Sequence, residues 1–275
     1  MPRLFSCFRR GYSMRDYGTS GGLYDPAATA DEMTEEHRSW GGCAVLVELF
    51  SSQGCKSSPE AELLMSRLGR GEFTLNRPVI VLTFHVDYWD YLGWKDPFGS
   101  SQWTVRQKGY VQALRLDSMF TPQVVVQGRV QCAGHEEENV LSHIVSAQRF
   151  PSPLFEANYQ RPTPETLQVS LSGRLRMNID KEGANVMVAL YENGLVTDCT
   201  TGENQGNVLS NDYVVRGLEK LCFVKDLTGK KIVSGTVNFG LWEGFNSSKC
   251  GIAVFVQNNS HQIFGSRRFD LPGNL

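Results

Sequence analysis

A single cysteine, Cys55, lies at a junction where its side chain could act as a nucleophile. An apolar run of strand length, residues 44–50, leads into turn-forming residues 51–54, and residues 57–60 are Ser, Ser, Pro and Glu, which are typical of a helix start. A helix N-terminus offers unpaired N–H groups and the positive end of a dipole, and both favour the thiolate over the thiol. We therefore expect Cys55 to be reactive, although a small, partly buried loop residue would fit the same position.

Two further groups are expected beside Cys55. His85 ends the second apolar strand, so it is a candidate general base, and Asp87 is a candidate to orient its ring. A histidine in this place also serves commonly as a hydrogen-bonded structural residue. Thr121 and Pro122 directly precede another apolar strand, a position that suits a cis peptide bond, and we expect them to shape the groove at Cys55.

The loop after the second strand is unusually aromatic. Residues 85–103 contain three tryptophans, among them Trp89 and Trp94, together with two tyrosines and a phenylalanine. Loops at the carboxyl ends of strands line the crevice of an open α/β sheet, so this loop is expected to wall a groove beside Cys55. The alternative is a small core that packs the loop onto its own domain.

The flanking segments predict two folded parts. Residues 43–150 have the order β-α-β-α-β-β-α, which is the thioredoxin topology, whereas residues 165–275 carry short alternating strands that predict an antiparallel, sandwich-like β-rich domain. A Pro-rich stretch, 151–164, is predicted to be the linker, and residues 1–42 a flexible arm. Residues 200–221 are polar and Gly-rich, and we expect a helical end there.

Composition narrows the functional classes. The net charge of −2 gives no reason to expect a nucleic-acid partner, and the longest apolar runs are too short to span a bilayer. The seven cysteines show neither a Cys-x-x-Cys pair nor metal-ligand spacing, so we expect no metal and reduced thiols. Reduced thiols favour a cytoplasmic location. The arginine-rich first residues are also compatible with targeting to an organelle or with acylation of Cys7.

Several long motifs carry a family resemblance. ELFSSQGCKSSPEAELL, HVDYWDYLGWKDPFGS, Arg106-Gln107, TPQVVVQG and ENQGNVLSNDYVVRGL resemble the thioredoxin-like "domain of unknown function 1223" family over roughly residues 43–270, in a plant-type, eukaryotic form. The resemblance implies a thioredoxin-like α/β domain followed by a β-rich domain, with a Cys-x-x-Cys pair that begins at Cys55. Here the second cysteine is replaced by Ser58, which cannot resolve a mixed disulfide.

Two functions remain open on these residues. Cys55, favoured by the helix end and by Ser58, could carry out monothiol exchange on a disulfide-containing protein, peptide or glutathione, with no cofactor beyond glutathione as thiol co-substrate. Cys132 or Cys43 could act as the resolving thiol if either lies close. Alternatively, the protein is a non-catalytic adaptor that binds a peptide or protein on a scaffold with a degenerate redox site.

Overall fold

Two buried parallel strands form the centre of the structure, a computed structural model that describes residues 43–176, 182–225 and 232–275. Strand β1, Val45–Ser51, is buried throughout and pairs in parallel with β2, Val79–His85. Helix α1, Ser58–Gly69, makes the crossover between them. The predicted arm at residues 1–42 lies outside the described residues.

The next elements follow the order that the sequence predicts. Helix α2 is Ser101–Ala113, and the hairpin strands are β3, Gln123–Val126, and β4, Val130–Ala133. Strand β3 is antiparallel to β1, and helix α3, Glu137–Ser146, follows the hairpin. A short 3-10 turn lies inside the aromatic loop. The carboxyl ends of β1 and β2 therefore meet at one edge, where Cys55 and the aromatic loop begin.

Nine strands follow in the rest of the described chain. They are β5 (Leu154–Thr163), β6 (Thr166–Arg174), β7 (Ala184–Glu192), β8 (Leu195–Asp198), β9 (Val208–Asn211), β10 (Val214–Val224), β11 (Ile232–Gly240), β12 (Cys250–Gln257) and β13 (Ile263–Asp270). The β-rich character of this half is as predicted.

Two segments differ from the sequence-based expectation. The stretch predicted to be a linker contains β5, an edge strand in which Phe155 is buried while most neighbours are exposed, so its apolar signal is weak. The helical end expected within residues 200–221 is instead the start of β10. That strand has two irregularities in its pairing with β7 and no regular alternation of buried residues, which hides its period from the sequence.

One mixed sheet contains strands of both halves, in the order β13-β12-β7-β10-β2-β1-β3-β4. The join is a parallel contact between β10 and β2, where Val214 lies opposite Thr83 and the Thr83 N–H donates to the Tyr213 carbonyl at 2.8 Å. A three-stranded sheet, β11-β6-β5, shares a second apolar core with one face of β7, β10 and β12. The sandwich is thus built onto the end of the same sheet that carries Cys55.

Candidate functional site

Cys55 lies in the turn between β1 and α1, with its thiol close to two oxygen atoms. Its Sγ is 3.5 Å from Ser57 Oγ and donates to the Thr121 carbonyl at 3.6 Å. The Cys55 N–H donates to the Ser52 carbonyl at 3.0 Å, which closes the turn. Thr121 and Pro122 are joined by a cis peptide bond, and the structure brings this pair beside the cysteine. The residue is largely buried, with 6% of its surface exposed.

The electrostatics of the turn favour the Cys55 thiolate. Burial raises the pKa of the thiol, but hydrogen bonds involving Ser57, Ser58 and Thr121 outweigh it and leave the pKa below that of an ordinary cysteine. Burial has the opposite net result at Cys132, whose pKa is raised to about 11. The pKa of Cys55 is therefore shifted in the opposite direction from that of Cys132 on β4.

Ser58 is the first residue of α1 and is buried. Its Oγ accepts a hydrogen bond of 3.4 Å from the Ser52 N–H, and its own N–H donates to the Cys55 carbonyl at 3.3 Å. Pro59 then occupies the first turn, where a missing N–H costs nothing. Ser58 thus stabilises the turn by two hydrogen bonds, at the position where the family resemblance implies a second cysteine.

The aromatic loop packs against both sides of this turn. The Trp89 indole N–H donates to Thr121 Oγ1 at 2.6 Å, and a Cβ placed on Gly54 would lie only 3.0 Å from the Trp89 Cβ. Trp94 donates its indole N–H to the Gln53 side-chain carbonyl at 3.1 Å. Trp89 therefore packs against the Cys55 turn on one side, and Trp94 contacts the turn on the other side.

His85 is not at the surface of a groove but completely buried in a charged cluster. Its Nδ1 is 2.7 Å from Asp96 Oδ2, and its Nε2 is 3.3 Å from Glu62 Oε1 without a hydrogen bond between them. Burial lowers the pKa of His85, but the two carboxylates outweigh it and raise the pKa to about 9. The ring is thus charged and paired with Asp96, whose pKa it lowers, whereas burial raises the pKa of Glu62 on the other side.

Asp87, the residue expected to orient His85, points to a different element. Its carboxylate accepts a hydrogen bond of 2.6 Å from Thr104 Oγ1 on α2. Asp96, eleven residues beyond His85, takes the expected place, and it also accepts the Gln53 N–H at 2.7 Å. The predicted His85–Asp87 pair is not formed because the loop folds back and returns Asp96 to the end of β2.

The sequence interpretation missed the residues that the β-rich half brings to the Cys55 turn. Gln53 donates its side-chain amide to Thr197 Oγ1 at 3.0 Å and to Asn211 Oδ1 at 2.8 Å. Asn204 donates to the carbonyls of Gln53 and Cys55 at 2.8 and 3.0 Å. The ENQGNVLSN motif was the only signal for these contacts, and it does not say what its side chains reach.

A cavity of about 250 Å³ opens between α1 and β9. Its lining contains apolar side chains such as Leu63 and Leu209, together with the polar side chains of Ser51, Gln53, Ser58, Glu62 and Asn211. Cys55 is not among the lining residues, so the cavity lies next to the thiol turn and not over the thiol. Within the described ranges, no group of His, Cys, Asp and Glu residues has the arrangement of a metal site. No helix of the described chain is long and apolar enough to cross a membrane.

These features define a β-rich protein with a large mixed sheet and a single cysteine in a strand-to-helix turn. The family described as "Protein of unknown function (DUF1223)" matches residues 46–257, and the chain belongs to it. The crystal structure of protein AGR_C_4864 from Agrobacterium tumefaciens is similar, with 25% identity and a TM-score of 0.58 over 84% of this chain and 94% of that one. HBP35 of Porphyromonas gingivalis shares the fold, with a TM-score of 0.57 and 14% identity over 84% of this chain and 76% of its own. No curated protein is significantly similar in sequence.

Proposed function

We propose that the protein exchanges thiols and disulfides through Cys55 alone. The observation that carries this proposal is that the side chains of Ser57, Ser58 and Thr121 lower the pKa of a thiol that burial would otherwise raise, with Ser57 Oγ 3.5 Å from Cys55 Sγ. A thiolate is the nucleophile of such exchange, and a lowered pKa increases its share at neutral pH.

We further propose that residues 43–150 are a thioredoxin-like domain. The strand order β2-β1-β3-β4 supports this proposal, with β1 and β2 parallel and joined by α1. The position of the cysteine at the start of α1, beside the Thr121-Pro122 pair, is also what this topology leads us to expect. The β-rich half is then an extension of the sheet beyond β2.

The exchange needs a second thiol from outside. The Cys55 thiolate attacks one sulfur of a disulfide R–S–S–R′, forms Cys55–S–S–R and releases R′–S⁻. A glutathione thiolate then attacks the Cys55–S–S–R bond, forms R–S–S–glutathione and returns the Cys55 thiolate. Ser58 cannot take this role, and Cys132, with its pKa raised to about 11, is a poor resolving thiol at neutral pH.

One observation favours a second candidate, a peptide- or protein-binding adaptor. Tyr91 is 77% exposed and stacks on Trp89 with ring centroids 6.4 Å apart, so an open aromatic surface lies beside the Cys55 turn. Stacked, exposed aromatic rings are common anchors for a bound partner. On this alternative, Cys55 only fills its turn.

The test is the release of glutathione from a cysteine peptide that carries it as a mixed disulfide, with reduced glutathione as co-substrate. The wild-type protein should accelerate release, Cys55→Ser should abolish the acceleration, and Cys222→Ser, which alters a half-buried thiol whose pKa is raised, should leave it unchanged. Equal rates for wild type and Cys55→Ser would refute the proposal. Peptide binding that survives Cys55→Ser and is lost in Tyr91→Ala would favour the adaptor.

The variant Ser58→Cys extends this test. It restores a Cys-x-x-Cys pair at the start of α1, and the second thiol can then resolve the mixed disulfide within the protein. We expect an internal disulfide between Cys55 and the introduced thiol under mild oxidation, seen by mass spectrometry as a loss of two hydrogens in the peptide that spans the turn. A variant that forms only the glutathione adduct at Cys55 would show that the turn does not bring the two thiols together.

A further inference from the structure

The connection between β8 and β9, residues 199–207, places one buried side chain at the Cys55 turn. Residues 200, 201, 203 and 205–207 are exposed, whereas Asn204 is 3% exposed. Gly202 and Gly206 have positive φ angles of 78° and 82°, which bend the chain on either side of Asn204. Apart from Cys199 at its start, which is also buried, the connection therefore presents one side chain inward, that of Asn204.

Asn204 uses its amide to hold the backbone of the turn. Its Nδ2 donates to the Gln53 carbonyl at 2.8 Å and to the Cys55 carbonyl at 3.0 Å, across about 150 residues of sequence. An amide nitrogen has two N–H groups, so both donors are used. The Cys55 carbonyl also accepts from the Ser58 N–H, so Asn204 adds a second donor there and links the Cys55 carbonyl to that of Gln53.

The connection between β8 and β9 packs against the aromatic loop. Thr201 Oγ1 donates to the Gly93 carbonyl at 2.6 Å, and a Cβ at Gly202 would lie 2.7 Å from the Trp94 Cβ. The residues just before Asn204 are therefore held against the aromatic loop, and they fix the position from which Asn204 contacts the Cys55 turn. A shift of this connection would be transmitted directly to the turn.

We propose that Asn204 is a positioning residue for Cys55, through which the β-rich half sets the reactivity of the thiol. The Ser57 hydroxyl can donate to a thiolate, and its Oγ is as far as 3.5 Å from Cys55 Sγ, so a shift of a few tenths of an ångström weakens this contact. The inference rests on the proposed function for its consequence in exchange, but the reactivity of the thiol is measurable without any exchange activity.

The experiment follows alkylation of Cys55 by iodoacetamide against pH, read by mass spectrometry on the folded full-length chain. Asn204→Ala removes both donors, and we expect the alkylation rate at neutral pH to fall about tenfold with the pH profile moved to higher pH. Asn207→Ala is the matched control, because that exposed asparagine belongs to the same connection and its side chain points to solvent. Its profile should be that of the wild type.

A second variant covers the case in which Asn204→Ala does not fold. Asn204→Leu keeps the approximate size without a donor or a charge, and it should move the Cys55 profile in the same direction. A profile unchanged in whichever of the two variants folds would overturn the inference, even if glutathione release from the peptide is normal. Conversely, an altered profile without any catalysed release in the wild type would refute the proposed function alone.

Discussion

The buried imidazolium of His85 predicts a specific dependence of stability on pH. Asp96 and Glu62 raise its pKa to about 9, against burial and the nearby Arg216 charge, both of which lower it. The folded protein therefore binds a proton at His85 that the unfolded chain, with an ordinary pKa of about 6.5, releases. Because the folded pKa is the higher one, this stabilisation is full below about pH 6.5 and is lost as the pH rises towards about 9.

The size of the effect follows from the two pKa values. A difference of about 2.5 pKa units at about 1.4 kcal/mol per unit gives about 3 kcal/mol lost between about pH 6.5 and about pH 9. The side chain is completely buried, so solvent screening does not reduce this figure. A loss of about 3 kcal/mol is a large part of the free energy of unfolding of an ordinary domain.

Urea unfolding at the two ends of this range, followed by tryptophan fluorescence, measures the effect. The variant Asp96→Asn removes the carboxylate that is 2.7 Å from His85 Nδ1. We expect it to be less stable than the wild type at the lower pH, by about 3 kcal/mol, and to lose much less stability on going to the higher pH. Titration of Cys55 in the same range is common to both proteins and cancels in the comparison.

The outcome that refutes this reasoning is a wild-type protein that loses no more free energy of unfolding than Asp96→Asn over the same pH range. Such a result would mean that the ring is neutral in the folded protein. The carboxylates would then be held by hydrogen bonds to the backbone and not by the charge of His85.

Two further pairs of substitutions test a packing contact and a buried ion pair. Gly202→Ala places a methyl group 2.7 Å from the Trp94 Cβ, whereas the methyl group of the control Gly206→Ala meets nothing within 4 Å, and the two glycines have similar positive φ angles. Gly202→Ala should therefore lower the free energy of unfolding in urea by about 1–3 kcal/mol more than the control does. Equal losses would contradict the contact with Trp94. Arg106→Ala leaves the buried Glu48 carboxylate without the guanidinium that lies 2.6 Å from it, and it should lower the free energy of unfolding by about 3–5 kcal/mol. Arg106→Lys should recover part of this loss. A loss below about 1 kcal/mol in Arg106→Ala would show that water replaces the guanidinium.

Local chemistry was enough to place Cys55. A buried apolar strand, a turn and a Ser-Ser-Pro-Glu start specify their own backbone, because each depends on residues within a few positions of one another. The Thr121-Pro122 pair could be predicted for the same reason. These features depend on the chain near them and need no knowledge of distant segments.

The partner of His85 could not be read in this way. Asp87 is closer in sequence, but it lies where Thr104 of α2 can donate to it, and the return of the loop brings Asp96 to Nδ1. Which of several acids in a loop reaches a buried ring depends on the path of that loop, and the path is set by packing. Sequence spacing alone predicts that a carboxylate is available and does not say which one.

Gln53 shows why the thiol turn and the β-rich half must move together. Its backbone N–H donates to Asp96, its carbonyl accepts from Asn204, its side-chain oxygen accepts from Trp94, and its side-chain amide donates to Thr197 and Asn211. A displacement of the β-rich half would leave several of these buried groups without partners at once, and each such group costs about 1–3 kcal/mol. The cysteine two residues later therefore has one well-defined position only while β8, β9 and their connection are in place, and we expect its reactivity to depend on the second half of the chain as much as on the helix that begins beside it.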